Sequence, residues 1–501
     1  NLLAAYLTVI EVEDWVEMFS FVLLDKKQNL LLCARDPAGI KPFYYNKTSS
    51  SFVFASEPRA VLTALRTSGS VDTTRTSEFL MMGISDHDDG TFFKEVNQLP
   101  GGYYMTVSLD GKVHAPVKYW SPSGIDNDVD VLDGIKDRLF LSIKRQLRSD
   151  VKLGTSLSGG IDSGTIVTIA GELLKDSDSR YDAFTFTFPE FDDDEIEMAG
   201  IIADNAGMDL IPVNPSLETM TKDLEKMIIN MGEPFSTLSM FAQYKVMQAA
   251  ANNGTKVMLD GQGGDEIYLG YPRVAQRILG EYLKKFKLLS FFNEWIGLKK
   301  HASLPLWRSL AGNILFRSPS FFLKKNKSRL IDFVNSDLLN DFRAEVAEDV
   351  YSNKPIEKIQ IDEFTKYCLP RLLRYEDRNS MAFSIESRVP HLSQPLLDFA
   401  FKLPLHWRVN KGWTKYSVRK AMSGKLPDDV LWSNKKQGFP VPQKYWVEKL
   451  RLVLPELMPE DSDLFNITNI LRKIDSGGGN DPHLWRVIST ACWINLLNVK
   501  T

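Results

Sequence analysis

Small and hydroxyl-bearing residues crowd one short stretch of the chain, residues 157–164, which reads Leu-Ser-Gly-Gly-Ile-Asp-Ser-Gly. Hydroxyl groups and uncrowded backbone N–H groups favour anion binding where a helix begins just after a turn. The candidate donors are Ser158, Gly159, Gly160 and Ser163. Asp162 would repel a bound phosphate unless a divalent cation lay between them. The stretch predicts a phosphate site with a cation, and the alternative is a Ser-capped helix whose first turn Asp162 stabilises.

A second candidate is the run Asp-Gly-Gln-Gly-Gly-Asp-Glu at residues 260–266. Its glycines permit close backbone approach to a ligand, and Asp265 supplies a hard oxygen ligand. Alone, the run fits an acidic, glycine-rich surface turn equally well. Together with Asp162, it predicts two carboxylates that bind Mg²⁺ beside a pyrophosphate. The chain has no Walker phosphate loop, and this run does not match the dinucleotide fingerprint Gly-x-Gly-x-x-Gly.

Strands that alternate with helices are predicted to position both stretches. Residues 151–156 are apolar at alternate positions, as in a strand, and residues 165–174 carry apolar side chains at helical spacing. Another strand, residues 256–259, is predicted just before the second stretch. This alternation predicts a parallel sheet with helices on both faces, and ligands of such sheets bind at the carboxyl ends of the strands. We therefore expect both stretches to share one site.

The amino-terminal part has a different pattern. Residues 18–54 alternate between short apolar runs and turns, which predicts hairpin-rich β structure. Residues 121–128 are rich in Ser, Pro, Gly, Asn and Asp and predict a linker. We therefore expect a β-rich domain at residues 1–120 and an α/β domain at residues 129–501, mostly helical in its later part. The predicted fold class is α/β and α+β.

Two further polar motifs lie in the later part of the chain. Residues 373–390 carry six charged side chains in a stretch predicted to be helical, for which a salt-bridged, solvent-exposed helix is the alternative. Residues 432–439 read Trp-Ser-Asn-Lys-Lys-Gln-Gly-Phe and form a basic turn that contains Lys435. A loop that merely flanks a helix is the alternative for this turn.

The composition is ordinary for a globular protein, with 44% hydrophobic and 25% charged residues among 501. A net charge of −4 suggests no nucleic-acid partner. The absence of an uncharged apolar run of about 18 residues suggests no membrane partner. Three scattered cysteines favour a reducing, cytoplasmic location. Because the sequence begins with Asn rather than Met, we expect a truncated N-terminus.

In order and spacing, these motifs resemble those of the glutamine-hydrolysing asparagine synthetases over essentially the whole chain. The Ser-Gly-Gly-x-Asp-Ser order is similar to the pyrophosphate loop of ATP pyrophosphatases. Residues 35–42, Arg-Asp-Pro-Ala-Gly-Ile-Lys-Pro, and residues 55–57, Ala-Ser-Glu, resemble the amino-terminal glutaminase domain of that family. The resemblance implies a truncated, β-rich glutaminase domain of the N-terminal-nucleophile type. It also implies an ATP-pyrophosphatase synthetase domain and is compatible with a homodimer.

In that family, ammonia released from glutamine reaches a synthetase domain, in which ATP adenylates the aspartate side chain and ammonia then displaces AMP. The resemblance therefore implies ATP and Mg²⁺ as cofactors. It implies glutamine as the nitrogen source of the full-length parent and free ammonia as that of this chain, which begins after the family's catalytic amino-terminal cysteine. The metal ligands implied are Asp162 and Asp265. The implied ATP and pyrophosphate contacts are Leu157, Ser158, Gly159, Gly160, Asp162, Ser163, Phe186, Gly261, Gln262, Gly263 and Gly264.

The catalytic residues that we predict are Lys435, Glu376 and Tyr375. Lys435 matches the family's lysine that steadies the transferring phosphate. Gln262 stands where some members have a Glu that is proposed to deprotonate ammonium, and an amide cannot accept that proton. We therefore expect Glu376 beside Tyr375 to act instead, as a Tyr and Glu pair does in related synthetases. The alternative is that Glu376 only pairs with a neighbouring arginine.

Three functions stay open at this point. The first is synthesis of asparagine. The second is the same chemistry on another carboxylate, such as a sugar acid of a surface polysaccharide or a lactam-forming substrate. His391 and Ser393 bear on this choice, because they depart from the family's usual Pro-Phe-Leu-Asp run. The third is a non-catalytic binding role.

Overall fold

The structure is a computed structural model that describes residues 18–48, 51–122, 130–176, 181–189, 195–301, 319–433 and 441–501. Its amino-terminal part contains two antiparallel sheets, with strand orders β1-β2-β6-β7 and β4-β3-β5. The strands are β1 (Ser20–Asp25), β2 (Leu30–Arg35), β3 (Tyr44–Lys47), β4 (Phe52–Ala55), β5 (Asn97–Gln98), β6 (Tyr103–Ser108) and β7 (Val117–Lys118). Helices α1 (Pro58–Leu65) and α2 (Thr73–Met82) lie between β4 and β5. The predicted hairpin-rich β structure is confirmed.

A wholly parallel sheet organises the rest of the chain. Its strand order is β10-β9-β8-β11-β12, and every neighbouring pair is parallel. The strands are β8 (Leu153–Ser156), β9 (Tyr181–Phe186), β10 (Asp209–Val213), β11 (Val257–Leu259) and β12 (Glu386–Arg388). Every residue of β8, β9 and β11 is buried, as expected of central strands with helices on both faces. The predicted α/β class is confirmed.

Helices surround this sheet and continue to the end of the chain. Those that precede the third motif are α3 (Val131–Gln146), α4 (Ile161–Leu174), α5 (Ile196–Ala206), α6 (Leu217–Met231), α7 (Ser239–Asn252), α8 (Gly264–Ile267), α9 (Pro272–Lys284), α10 (Leu288–His301), α11 (Pro319–Leu330), α12 (Ser336–Asn340), α13 (Ala344–Tyr351) and α14 (Ile356–Asp362). The later ones are α15 (Leu369–Met381), α16 (Gln394–Ala400), α17 (Leu405–Arg408), α18 (Tyr416–Ala421), α19 (Asp428–Leu431), α20 (Gln443–Leu450), α21 (Leu454–Leu457), α22 (Ile467–Asp475) and α23 (Pro482–Leu497). A π-helical turn (Glu363–Tyr367), two 3₁₀ turns (Pro390–Leu392, Gly478–Asn480) and a small hairpin of β13 (Val409–Asn410) and β14 (Trp413–Thr414) complete the elements.

The third motif is not one helical stretch, and that prediction is wrong. Helix α15 ends at Met381, and Ser384 then adopts a left-handed conformation with φ of 54°. This turn reverses the chain, so Glu386–Arg388 pairs with β11 as the edge strand β12. Helical periodicity alone did not reveal the turn, because the residues that follow it remain alternately apolar and charged.

The two parts of the chain share one hydrophobic core. Phe92 and Phe93 of the amino-terminal part pack edge-on against Trp493 of α23, with ring centroids 5.8 and 5.0 Å apart. Both phenylalanines and Trp493 are almost fully buried. Burial of such large side chains fixes the β-rich part against the α/β part. None of the helices in the described part of the chain has the length and apolar character needed to cross a bilayer.

Candidate active site

The two glycine-rich turns touch each other because β8 and β11 are neighbours in the sheet. A Cβ atom on Gly261 would lie 2.9 Å from the backbone N of Ser163 and 3.2 Å from the Cβ of Asp162. On Gly264, a Cβ atom would lie 2.4 Å from the carboxyl carbon of Asp162. A side chain at position 261 would therefore collide with backbone, and one at position 264 would displace the Asp162 carboxylate. The close approach brings residues 158–163 and 260–266 together at one edge of the sheet.

The first turn leads directly into α4, which begins earlier than predicted, at Ile161. Asp162 and Ser163 therefore belong to the first turn of that helix. The Ser163 hydroxyl donates to the Ser158 carbonyl oxygen at 2.9 Å and lies 3.0 Å from the Ser158 hydroxyl. The first N–H groups of a helix have no intrahelical acceptor, and the helix dipole adds partial positive charge there. The turn therefore retains the features of an anion site.

The backbone of Leu157 ties this turn to the next strand, since its N–H donates to the Phe184 carbonyl at 2.8 Å. Phe186 ends that strand and is buried, with its ring edge-on to Trp446 at 6.0 Å between centroids. Leu157 and Phe186 thus border the same end of the sheet as the turn.

Lys415 joins the two turns electrostatically. Its ammonium Nζ contacts Asp162 Oδ2 and lies 2.8 Å from Asp265 Oδ1. Burial by itself lowers the pKa of the Lys415 ammonium, but the charges of Asp162 and Asp265 outweigh it and raise that pKa above its ordinary value. The site therefore holds a permanent cation between two carboxylates.

Sequence reasoning missed Lys415, which lies far along the chain at the start of α18. Its neighbours Thr414 and Tyr416 form no phosphate-binding pattern. Only the fold brings this lysine to the carboxyl ends of β8 and β11, so no local sequence signal could have identified it.

The two carboxylates fit a Mg²⁺ ion that arrives with a phosphate ligand. Asp162 Oδ1 is buried and has no hydrogen-bond partner in the described part of the chain, as suits an oxygen that binds a cation. Residues 18–501, apart from the gaps given above, contain no cluster of three or more His, Cys, Asp or Glu that could hold a metal unaided. Mg²⁺ commonly binds one or two carboxylates plus substrate phosphates. Asp162 and Asp265 meet that requirement.

Glu376 lies in a second, buried pocket at the same sheet edge. The Ser387 hydroxyl donates to Glu376 Oε1 at 2.6 Å, and Gln243 Nε2 donates to Oε2. Burial raises the pKa of the Glu376 carboxyl well above its ordinary value, and the charge of neighbouring Asp260 is the second largest cause. The Gln262 amide also bonds to Glu376 and partly offsets that rise. This pocket therefore connects the third motif to the second turn.

The arginines beside Glu376 have other partners. Arg374 Nε lies 3.0 Å from Asp86 and 3.7 Å from Glu233, while Arg378 pairs with Glu57 and Asp377. In the described residues, no ion pair between Glu376 and an arginine is found. The geometry therefore does not support the alternative in which Glu376 only pairs with a neighbouring arginine.

Tyr375 and Glu376 are not brought together. The Tyr375 hydroxyl accepts a hydrogen bond from the Ser236 backbone N at 3.2 Å, on the loop that follows α6. Consecutive side chains on a helix project about 100° apart, so the side chains of Tyr375 and Glu376 point in different directions. The other predicted catalytic residue, Lys435, lies outside the described residues.

His391, one of the departures from the family pattern, contacts the backbone of the first turn. Its Nε2–H donates to the Asp162 carbonyl oxygen at 3.1 Å, and its ring is fully buried. Burial lowers the pKa of this imidazole, which keeps it neutral. His391 therefore holds the backbone of Asp162 in place.

Comparison with known proteins gives matches to both parts of the chain. The sequence model for asparagine synthase matches residues 134–495, and that for a glutamine amidotransferase domain matches residues 3–120. Glutamine-hydrolysing asparagine synthetase 1 of Bacillus subtilis (strain 168) is 28% identical over 450 residues, covering 86% of this chain and 68% of that protein. A putative glutamine-hydrolysing asparagine synthetase of Mycobacterium bovis is 27% identical, with 95% and 76% covered. The amidase chyE of Penicillium rubens is 24% identical, with 85% and 70% covered.

The fold and the site thus define a ligase in which an α/β domain follows a glutamine amidotransferase domain. The match to the larger domain extends over most of the chain and includes both glycine-rich turns, Glu376 and Lys415. The chain belongs to the asparagine synthase family.

Proposed function

We propose that this chain converts L-aspartate to L-asparagine. The aspartate side-chain carboxylate attacks the α-phosphate of ATP and releases pyrophosphate. Ammonia then attacks the acyl carbon of the adenylate, and AMP leaves. A carboxylate is a poor electrophile, whereas AMP is a good leaving group, so adenylation makes amide formation accessible.

The observation that carries this proposal is the Lys415 ammonium between Asp162 and Asp265, beside an anion-binding turn. Expulsion of pyrophosphate develops negative charge, which preorganised cations and N–H donors stabilise. We assign pyrophosphate binding to the turn at residues 158–163 and to Lys415. Asp162 and Asp265 would hold Mg²⁺, which neutralises phosphate charge when it is bound.

Glu376 is the base that we propose for the ammonia step. An ordinary carboxylate is a weak base toward ammonium, and a raised pKa improves the match. Burial and the Asp260 charge raise the pKa of Glu376, while Ser387 and Gln243 fix its orientation. Gln262 contributes a hydrogen bond rather than a proton-accepting group.

The acceptor carboxylate is assigned from the related proteins. Two of the relatives above are named asparagine synthetases, which supports aspartate. Not every relative carries that name, since one is named an amidase, and His391 and Ser393 depart from the family's usual run. The second candidate is therefore the same chemistry on a different carboxylate. Both candidates need the same phosphate and cation site.

Product analysis separates them. The protein is incubated with ATP, Mg²⁺ and ¹⁵N-ammonium, with and without L-aspartate. We expect equal amounts of AMP, pyrophosphate and ¹⁵N-asparagine, formed only when aspartate is present. ATP binding without aspartate-dependent turnover would instead support the second candidate, and lack of ATP binding would contradict both.

A further inference from the structure

The most exposed apolar surface of the described chain lies on α10 and the turn before it. It is separate in sequence from the two glycine-rich turns. Phe286 is 87% exposed and Leu289 is 84% exposed, which is exceptional for such large apolar side chains. Leu288, Phe292 and Ile296 are at least half exposed as well. Leu289, Phe292 and Ile296 follow a spacing of three and four residues, so they form one stripe along the helix. We call the five exposed residues Phe286, Leu288, Leu289, Phe292 and Ile296 the apolar stripe.

The opposite face of α10 is firmly packed, so the apolar stripe cannot turn inward. Phe291 and Leu298 are buried in a local core. The Glu294 carboxylate accepts hydrogen bonds from the backbone N of Lys411 at 2.8 Å and of Gly412 at 2.7 Å. A Cβ atom on Gly297 would lie 1.9 Å from the Lys411 carbonyl oxygen, so the helix approaches the β13–β14 hairpin as closely as glycine allows. These contacts fix the rotation of the helix.

Lysines flank the apolar stripe at both ends, and the acidic side chains of α9 and α10 nearest to them are Glu281, which pairs with Lys285, and the buried Glu294. From residue 283 to residue 300, every exposed side chain is apolar, a lysine or Asn293. The only acidic residue in that range is Glu294, which is 7% exposed and faces the hairpin. The exposed lysines are Lys284, Lys285, Lys287, Lys299 and Lys300. This local positive charge contrasts with the net charge of −4 for the whole chain.

We propose that α10 lies against the surface of an anionic membrane, with the apolar stripe inserted among the lipid head groups and the lysines on their phosphates. An apolar face rimmed by lysines is the chemistry that interfacial helices use. Charge complementarity favours anionic lipid over a second copy of this chain, because a symmetric contact would place lysines against lysines. The expectation of no membrane partner rested on the absence of a spanning segment, which an interfacial contact does not require.

Vesicle sedimentation tests this proposal. The protein is mixed with vesicles of equal parts phosphatidylglycerol and phosphatidylcholine, and separately with vesicles of phosphatidylcholine alone. We expect binding to the anionic vesicles, weaker binding to the neutral ones, and release by high salt. The double variant Lys299→Ser/Lys300→Ser should bind roughly 25-fold more weakly, at about fivefold for each lysine.

The apolar contribution is tested with Leu289→Ser/Phe292→Ser, which should lose at least about tenfold in binding. Leu452→Ser is the matched control, because Leu452 is equally exposed but lies on a different part of the chain, just after α20. The control should bind as the parent does, and thermal unfolding should be unchanged in all three variants. Absence of binding to anionic vesicles would overturn the proposal, as would equal binding by the double variants. A dimer that Leu289→Ser/Phe292→Ser dissociates, without any vesicle binding, would assign the stripe to a second copy and overturn it too.

Discussion

The carboxyl groups of Asp260 and Glu376 are neighbours in one buried pocket, although they come from different elements. Asp260 directly follows β11, and Glu376 lies in the middle of α15. Two ionised carboxylates repel each other strongly away from water, so the pair binds its first proton more tightly than either carboxyl would alone. The strand-end turn and the third motif thereby form one proton-binding unit beside the phosphate site.

Replacement of Glu376 by Gln should separate the two half-reactions. Glutamine keeps the size and hydrogen-bonding capacity of the side chain but cannot accept a proton. We expect aspartate-dependent ATP–pyrophosphate exchange to persist, while ammonia-dependent asparagine formation falls about a hundredfold or more. Isotope exchange and amino-acid analysis measure the two steps on the same sample. Survival of both steps would show that Glu376 is not the base.

Lys415→Met should impair the first half-reaction instead. The variant removes the cation between Asp162 and Asp265, and one preorganised group that stabilises developing charge is worth about a hundredfold in rate. Exchange of labelled pyrophosphate into ATP measures this step. Lys420→Met on the same helix is the control, because Lys420 is exposed and is not part of the cluster. Equal exchange rates in both variants would rule out a phosphate role for Lys415.

Arg374 should be a major determinant of stability. Its guanidinium is buried and pairs with Asp86 at 3.0 Å and with Glu233 at 3.7 Å, which links α15 to the amino-terminal part. Replacement by Met would leave two buried carboxylates without their cation, at a cost of about 3–5 kcal/mol. We expect a clear fall in the thermal unfolding midpoint.

The exposed pair of Lys425 and Glu172 provides the comparison for that experiment. Lys425→Met should cost about 1 kcal/mol or less, because solvent screens such pairs. If both variants melted at the same temperature, the buried cluster would not stabilise the contact between the two parts.

Asp260 should make stability depend on pH in the acidic range. Burial raises the pKa of its carboxyl from 3.8 to about 6. The folded state therefore binds this proton more tightly than the unfolded state does. The resulting stabilisation is fully present below about pH 4 and is lost as pH rises through about 6.

The Asp260→Asn variant lacks this titration. Relative to the parent protein, it should gain up to about 3 kcal/mol of stability between pH 4 and pH 7. Thermal unfolding of both proteins at the two pH values measures the change. An offset between the two proteins that is the same at both pH values would contradict the raised pKa.

Local pattern and topology together predicted the meeting of Asp162 and Asp265. Each follows a strand with a recognisable apolar pattern, and parallel strands bring their carboxyl ends to one edge. Lys415 could not be predicted in this way, because no pattern links its short helix to either turn. Its position depends on packing that only the complete fold defines.

In the third motif, by contrast, the sequence predicted a contact that the structure does not contain. The resemblance to related synthetases suggested a catalytic pair of Tyr375 and Glu376, but the helix directs their polar groups to different partners. The strand Glu386–Arg388 was not predicted, because a single left-handed residue, Ser384, separates it from the helix. The sequence was therefore a good guide to which motifs lie together and a poor guide to which side chains meet.

Transfer of oxygen from aspartate to AMP tests most directly whether an acyl-adenylate forms on the aspartate side chain. The protein is supplied with ATP, Mg²⁺, ammonium and L-aspartate labelled with ¹⁸O in its side-chain carboxylate. We predict that AMP acquires one ¹⁸O atom for each asparagine formed, because the carboxylate oxygen attached to the α-phosphate leaves with AMP. AMP without label, or label in inorganic phosphate accompanied by ADP, would contradict acyl-adenylate formation.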